Sequence, residues 1–350
     1  VFLSGPIERL SKKYEIHLLT DLTSINENLP NVKKQYHINI YRNISLINDL
    51  KCLIEIVKIL KANNYNAIHT ITPKAGLLGL LGAVISGNKI RNHTFTGQVW
   101  ANKKGAFRLL LKNIDRLINK LATHSIVDGH SQREFLIKKN IINEKAIVFG
   151  KGSISGIDLN KFKPKFETKN RFRQKFKIGE KEWAFMYLGR LNREKGVLDL
   201  LTAFKNLKEI ANVRLVIVGP DEENITINYK KLFDNTKVLY IPFTKEPHNI
   251  IQICDVFCLP SYREGFGLSV IEASALQKGI ICSDTYGLRD TILDNITGIK
   301  HKKGNIKDLR EKLLFSINNK SKFYEMGLNG RNYVKNNFSK ELIVGSWNQF

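Results

Sequence analysis

Residues 183 to 196 read WAFMYLGRLNREKG, and VLDLLTAFKNLKEI follows at 197 to 210. The first run is apolar at nearly every position and ends at Gly189. A strand with one wet face alternates apolar and polar residues, so an unbroken apolar run needs cover on both faces. The amphipathic stretch behind the polar loop supplies that cover. Strand, loop and helix in this order form one step of a parallel sheet layered with helices.

The same grammar repeats in both directions. Strand candidates in the first half are YEIHLLT (14 to 20), YHINIY (36 to 41), NAIHTI (66 to 71), IRNHTF (90 to 95), HSIVDG (124 to 129) and AIVFG (146 to 150). In the second half, VRLVIVG (213 to 219), KVLYIP (237 to 242), DVFCLP (255 to 260) and GIICS (279 to 283) join 183 to 189. Helical runs such as NDLKCLIEIVKILKANN (48 to 64) lie between them. The pattern predicts an α/β protein with two Rossmann-like, doubly wound parallel-sheet domains. Residues 156 to 182 are basic, polar and strand-poor. They place a boundary near residue 160, giving domains 1–160 and 161–350. The opening VFLSGPIERL reads as a loop entering a helix, so a first strand is expected to precede it. Repeats of solenoid period and heptad seams are absent from the sequence.

The chain of 350 residues is long enough for two cores, and 43% hydrophobic with 25% charged residues is an ordinary globular balance. The most apolar segment, AGLLGLLGAVISG (75 to 87), is too short to span a bilayer. Cys52, Cys254, Cys258 and Cys282 sit in apolar surroundings without a histidine cluster, as buried thiols of a reducing compartment would. Cytoplasmic localisation is the expectation. The net charge of +24 favours anionic partners, although Lys, Asn and Ile are abundant throughout and part of the excess is compositional.

In open α/β sheets, ligands bind at the carboxyl ends of strands. After Gly189, Arg190 and Lys195 precede a helix start, as a diphosphate site requires; a solvated basic loop is the plainer alternative. VIVGPDEEN (216 to 224) is a generic strand-to-turn element. The loop in YIPFTKEP (240 to 247) suits a nucleoside but names no residue. SYREGFGLSVIEASALQ (261 to 277) is more telling. Gly265 and Gly267 allow close backbone approach. The helix beginning near Phe266 or Gly267 points its positive end the same way. Glu264 stands before that helix and Glu272 inside it. Separately they read as a cap and a surface residue; together, with the upstream cations, they read as a binding site for hydroxyls.

Glu264-Gly265-Phe266-Gly267 with Glu272 resembles the E-x7-E signature of retaining GT-B glycosyltransferases, most of all glycosyltransferase family 4. GRLNREKG resembles that family's G-R-x(4)-K-G element. HTITPKAGLLG (69 to 79), HTFTGQVW (93 to 100) and GSISGIDLNKFKP (152 to 164) are similar to members that build bacterial surface polysaccharides. The resemblance implies two domains facing a cleft. It implies that Arg190 and Lys195 hold the donor diphosphate, Glu264 the donor sugar and Glu272 the ribose. The amides of Gly265, Phe266 and Gly267 would face sugar and phosphates, and Gly189 and Leu268 would also belong to the donor-binding set. It implies front-face attack, with the departing phosphate taking the acceptor proton, and no metal or other cofactor. No Asp-x-Asp pair occurs in the sequence. Many members carry a histidine just before a glycine near the donor sugar. Here Thr96 precedes Gly97, and His93 lies three residues earlier. Lys74 is a further acceptor-side candidate, suited to a phosphate.

Lys104, Arg108, Lys112, Arg116 and Lys120 recur every four residues in 103 to 123. Phe107, Leu110, Leu111, Ile114, Leu117, Ile118 and Leu121 form the expected core-facing side. The helix reads either as an ordinary amphipathic helix or as a surface for acidic lipid headgroups. The expected function is transfer of a hexosyl or N-acetylhexosaminyl group from a nucleotide-sugar donor of the UDP type to a lipid-linked saccharide. The product would be O-antigen or capsule, made peripherally on the inner face of the cytoplasmic membrane. The alternatives are another GT-B enzyme such as a sugar-nucleotide epimerase, against which E-x7-E argues, and a basic nucleic-acid-binding protein, for which the sequence offers no motif.

Overall fold

The computed structural model describes residues 3–21, 29–41, 44–205, 207, 210, 212–234 and 236–347. Residues 206, 208 and 209, near the end of the helical run 197–210, lie outside these. The chain forms two compact units: residues 157–339, and residues 1–156 together with 340–350. The boundary expected near 160 thus falls at 156/157. The tail assigned by sequence to the second domain is corrected: the helix Lys340–Ser346 packs on the helix Ser4–Leu10 of the first unit, with Lys340 Nζ 2.9 Å from Glu8 Oε2. Trp347 closes a small cluster with Ile126, Phe149 and Ile154.

In the first unit, β1 (His17–Thr20) pairs parallel with β2 (Lys34–His37). β3 (Ala67–Ile71), β4 (Ile90–Phe95) and β5 (His124–Val127) make a second parallel sheet in the order β3-β4-β5. β2 starts earlier than expected and stops at His37, because the Ile40 N–H turns back to the Ile38 carbonyl. Residues 146–150 do not form the expected strand. Only Ile147 bridges to Ile126 beside β5. The helix Pro73–Ile85 crosses from β3 to β4, and its glycines let it pack directly on its neighbours: a Cβ on Gly82 would come within 2.6 Å of Ile56.

Among the described residues the second unit holds six parallel strands: β6 (Trp183–Leu188), β7 (Val213–Val218), β8 (Val238–Ile241), β9 (Val256–Leu259), β10 (Gly279–Ser283) and β11 (Ile299–His301). Their order is β11-β10-β9-β6-β7-β8. The chain winds outward from β6 to β8, returns to the other side of β6 with β9, and winds outward again to β11. β9 and β10 are buried at every residue, as unbroken apolar runs require. β11 was not expected; it has three residues and carries Lys300 and His301. The polar segment at the boundary belongs to this unit: its helix Phe166–Lys175 brings Lys169 (2.8 Å) and Arg173 (3.0 Å) onto Asp255. All four cysteines are buried and free. Among the described residues no helix is long and apolar enough to cross a membrane.

Candidate active site

The strand order reverses between β6 and β9, and such a switch point is where loops diverge and leave room for a ligand. The loop after β6 carries Arg190 and Lys195; the loop after β9 carries Glu264, Gly265, Phe266 and Gly267. The candidates were 69 residues apart in sequence, and the topology brings them together.

Two glycines set the first loop. Gly219, after β7, has φ +139°, and a Cβ there would lie 2.0 Å from the Gly189 carbonyl oxygen. Gly196 has φ +70°, and a Cβ there would lie 2.1 Å from the Pro260 oxygen at the end of β9. Between them, buried Tyr187 donates its hydroxyl to the Arg190 carbonyl at 2.7 Å. Asn192 Oδ1 accepts the Lys195 N–H at 3.0 Å, which caps the short turn Arg193–Lys195. Lys195 is thereby aimed across to the second loop.

Its ammonium lies 2.6 Å from Glu264 Oε1, which also accepts from the Ser261 hydroxyl at 2.8 Å. Arg263 pairs with Glu194 at 2.6 Å, and the Tyr262 N–H donates to the Glu194 carbonyl at 2.8 Å. The Tyr262 hydroxyl donates to Asp199 at 2.8 Å. Arg190 Nη1 lies 2.9 and 3.0 Å from the two oxygens of Glu222, which also accepts from the Asn192 amide at 2.9 Å. Both expected diphosphate ligands therefore hold a carboxylate. Sequence reasoning missed Asn192, Glu194, Glu222, Ser261 and Arg263. The acidic run Asp221-Glu222-Glu223 in VIVGPDEEN was the visible signal for Glu222.

The helix Leu268–Ala275 starts at Gly267 without a side-chain cap. The expectation that the amides of Gly265, Phe266 and Gly267 all face a ligand is corrected in one position: the Gly267 N–H donates to the Gly287 carbonyl at 3.1 Å. Those of Gly265 and Phe266 take no part in the backbone bonding of this turn. Gly267 is small for packing, since a Cβ would sit 2.4 Å from Leu288. The Phe266 ring is buried 5.4 Å from Phe338, and Leu268 packs on the same core. The Glu272 carboxyl, on the second turn, has no ion pair or hydrogen bond to a described residue. Burial raises its pKa to about 7, against a pull downward from Lys161. A desolvated acid without protein donors suits a ligand that brings hydroxyl donors.

In the first unit, Lys74, Thr96 and Gly97 follow the carboxyl ends of the neighbours β3 and β4. Lys74 pairs with Asp49 at 2.6 Å. The Thr96 carbonyl accepts from the buried amides of Gln132 (2.6 Å) and Gln98. His93 is a core residue. It shares a hydrogen bond of 2.8 Å with Thr70 and meets Phe95 edge-on at 4.6 Å. Burial and nearby His69 lower its pKa to about 3, so it stays neutral.

The helix Gly105–Leu121 forms as expected, but its apolar side is split. Leu111, Ile114, Ile118 and Leu121 pack into the core, whereas Phe107, Leu110 and Leu117 are exposed together with Leu109. Of the basic stripe, Arg108 lies over the Trp100 ring, and Arg116 donates to the Asn140 carbonyl at 3.0 Å. Trp100 Nε1 donates to buried Asp115 at 2.6 Å.

Residues 168–333 match the family described as glycosyl transferases group 1. The chain is 31% identical over 352 residues to a capsular polysaccharide biosynthesis glycosyltransferase, CapM, of Staphylococcus aureus, covering 97% of this chain and 90% of that protein. It is 28% identical over 307 residues to an Escherichia coli UDP-Gal:alpha-D-GlcNAc-diphosphoundecaprenol alpha-1,3-galactosyltransferase, covering 85% of this chain and 78% of that one. Among solved structures, Anabaena HepE in complex with UDP-glucose superposes with a TM-score of 0.81 at 16% identity, over 99% of this chain and 94% of that one. Sucrose-phosphate synthase from Thermosynechococcus elongatus gives 0.80 at 21% identity, over 99% and 90%. These likenesses establish the fold as GT-B, with two Rossmann-like units.

Proposed function

The chain belongs to the group 1 glycosyl transferases, and on that premise we propose that it is a retaining enzyme of family 4 that moves a sugar from a UDP-sugar to a lipid-linked glycan. The observation that carries this reading is the group at the β6–β9 switch point: Arg190, Lys195, Glu264 and Glu272. The diphosphate displaces Glu222 from Arg190 and Glu264 from Lys195. Both cations then face the phosphates, and Glu264, freed from its ammonium, accepts hydrogen bonds from the hydroxyls of the hexosyl or N-acetylhexosaminyl group. Glu272 accepts from the ribose hydroxyls. As the bond from the anomeric carbon to the phosphate oxygen breaks, negative charge grows on that oxygen, and Arg190 and Lys195 stabilise it. The acceptor hydroxyl oxygen bonds to the anomeric carbon on the same face, and its proton passes to the departing phosphate. No metal is needed in this scheme, because two protein cations neutralise the leaving group.

Lys74, Thr96 and Gly97 belong to the acceptor side. The relatives that name a diphosphoundecaprenol acceptor, in Escherichia coli and Campylobacter jejuni, support a lipid-linked saccharide for this chain. The product is a bacterial surface polysaccharide, capsule or O-antigen, made at the inner membrane face. Calorimetric titration with UDP tests the donor half: saturable binding is expected, weakened by Glu272→Ala. Absence of saturable UDP binding to the intact chain would sink the proposal. The anomeric configuration of the product, read by NMR, tests retention.

A further inference from the structure

A buried glutamine joins the turns that follow β4 and β5. Gln132 lies in the first turn of the helix His130–Lys138 and is 0% exposed. Burying a primary amide costs stability unless its N–H groups and its carbonyl oxygen find partners. Here they do. Gln132 Oε1 accepts the Asp128 N–H at 2.8 Å. Gln132 Nε2 donates to the Thr96 carbonyl at 2.6 Å, and reaches the Phe95 carbonyl at 3.2 Å and Gln98 Oε1 at 3.4 Å. Gln98, also buried, donates its own Nε2 to the same Thr96 carbonyl.

These bonds serve two different purposes. Acceptance from the Asp128 N–H is a form of capping, in which a Gln or Glu in the first turn reaches back to the backbone ahead of its helix. A glutamate would do this equally well, with added attraction to the helix dipole. Donation to Thr96 is beyond a carboxylate, so the amide answers to the turn after β4 rather than to its own helix. Nor is the amide needed to attach that helix to the turn, because the Trp100 and Phe135 rings stack with centroids 5.4 Å apart. What the two glutamines add to this apolar contact is direction. They turn the Thr96 carbonyl inward, and in a trans peptide the Gly97 N–H then points to the opposite side. Thr96 and Gly97 are half-buried, whereas Phe95 and Gln98 on either side are buried.

We infer that Gln132 and Gln98 are positioning residues for the transfer, setting the plane of the Thr96–Gly97 peptide on the acceptor side. This rests on the acceptor-side placement of Thr96 and Gly97 proposed above and deepens it. Both glutamines are buried and act through one carbonyl oxygen.

The test compares the full chain with Gln132→Met, Gln98→Met and the double variant, which keep side-chain length and remove the donors. UDP release is followed with UDP-sugars and α-D-GlcNAc-diphosphoundecaprenol, the acceptor named for the Escherichia coli relative. Each single variant should lower kcat by roughly 10–100-fold. KM for the UDP-sugar should change by no more than about threefold, with UDP affinity unchanged. The double variant should lose little more than the worse single one, because both amides serve one oxygen. In hydrogen-exchange mass spectrometry the segment 95–102 should exchange faster in each variant, by roughly fivefold or more, with peptides of 157–339 unchanged. A mere helix cap would behave otherwise: Gln132→Met would lose activity only as it loses folded protein, and Gln98→Met would match the wild-type chain. That pattern, or wild-type exchange at 95–102 in both single variants, overturns the inference. UDP titration separates the two proposals. Absence of UDP binding to the intact chain removes the transferase reading, while exchange at 95–102 still decides whether the glutamines hold the turn. UDP binding with wild-type kcat in both single variants removes this inference alone.

Discussion

The unit 157–339 and the unit formed by 1–156 and 340–350 bury their apolar side chains to different depths. In the former, Phe185, Phe204, Phe257, Phe323 and Phe338 are sealed between a six-stranded sheet and its helices. In the latter, the strands among the described residues fall into sheets of three and two, and the helices Leu46–Asn63 and Gly105–Leu121 leave large apolar residues outside. The greater depth follows the ligand proposed for the former. Phosphates and ribose demand fixed donors and acceptors, because small misplacements of reacting groups cost rate steeply. Glu194, Glu222 and Asn192 hold such a site on a closed core.

Four measurements can break or sharpen this contrast. Phe257→Ala, at the centre of the sealed sheet, should cost about 3–5 kcal/mol in denaturant unfolding; a cost near that of an exposed site would erase the distinction. Lys195→Ala should lower turnover by about 10²–10³-fold. Glu272 is next. Its folded pKa, about 7, lies above its ordinary 4.5, so the folded state holds the proton more tightly. The contribution of Glu272 to the stability of the ligand-free unit should therefore be greatest below about pH 4.5 and fall by about 2–3 kcal/mol as pH rises to 7, read as the difference between the wild-type chain and Glu272→Gln. UDP affinity should rise over the same span, as ionised Glu272 becomes available to the ribose. Glu272→Gln should flatten both profiles, and persistence of either in that variant would assign it to another group. Smallest of all, Leu109→Ser should change stability by no more than about 0.5 kcal/mol, because its side chain already stands in water.

β6, β7, β9 and β10 were legible because a strand buried on both faces is apolar at almost every residue. β11 was not: three residues with Lys300 and His301 carry no such run. Residues 146–150 misled in the opposite sense, being apolar yet touching the sheet only at Ile147. Arg190, Lys195, Glu264 and Glu272 were legible because strand ends and helix starts can be read locally. Their partners could not be. Glu222 finds Arg190 across 32 residues, and Glu194 finds Arg263 across 69, through the strand order β9-β6-β7 alone. In the helix Gly105–Leu121 the periodicity located the helix but not its orientation. Its apolar stripe is wider than a three-stranded sheet can cover.

The return of residues 340–347 to the first unit bears on the order in which the protein assembles on the ribosome. Trp347 Nε1 donates to the Ile154 carbonyl at 2.9 Å, and its ring lies 4.9 Å from Phe149 and 5.3 Å from His69. The unit begun first is thus finished last, after the whole of 157–339 has been synthesised. Between those moments the nascent chain carries a half-built domain with an open seat for one tryptophan.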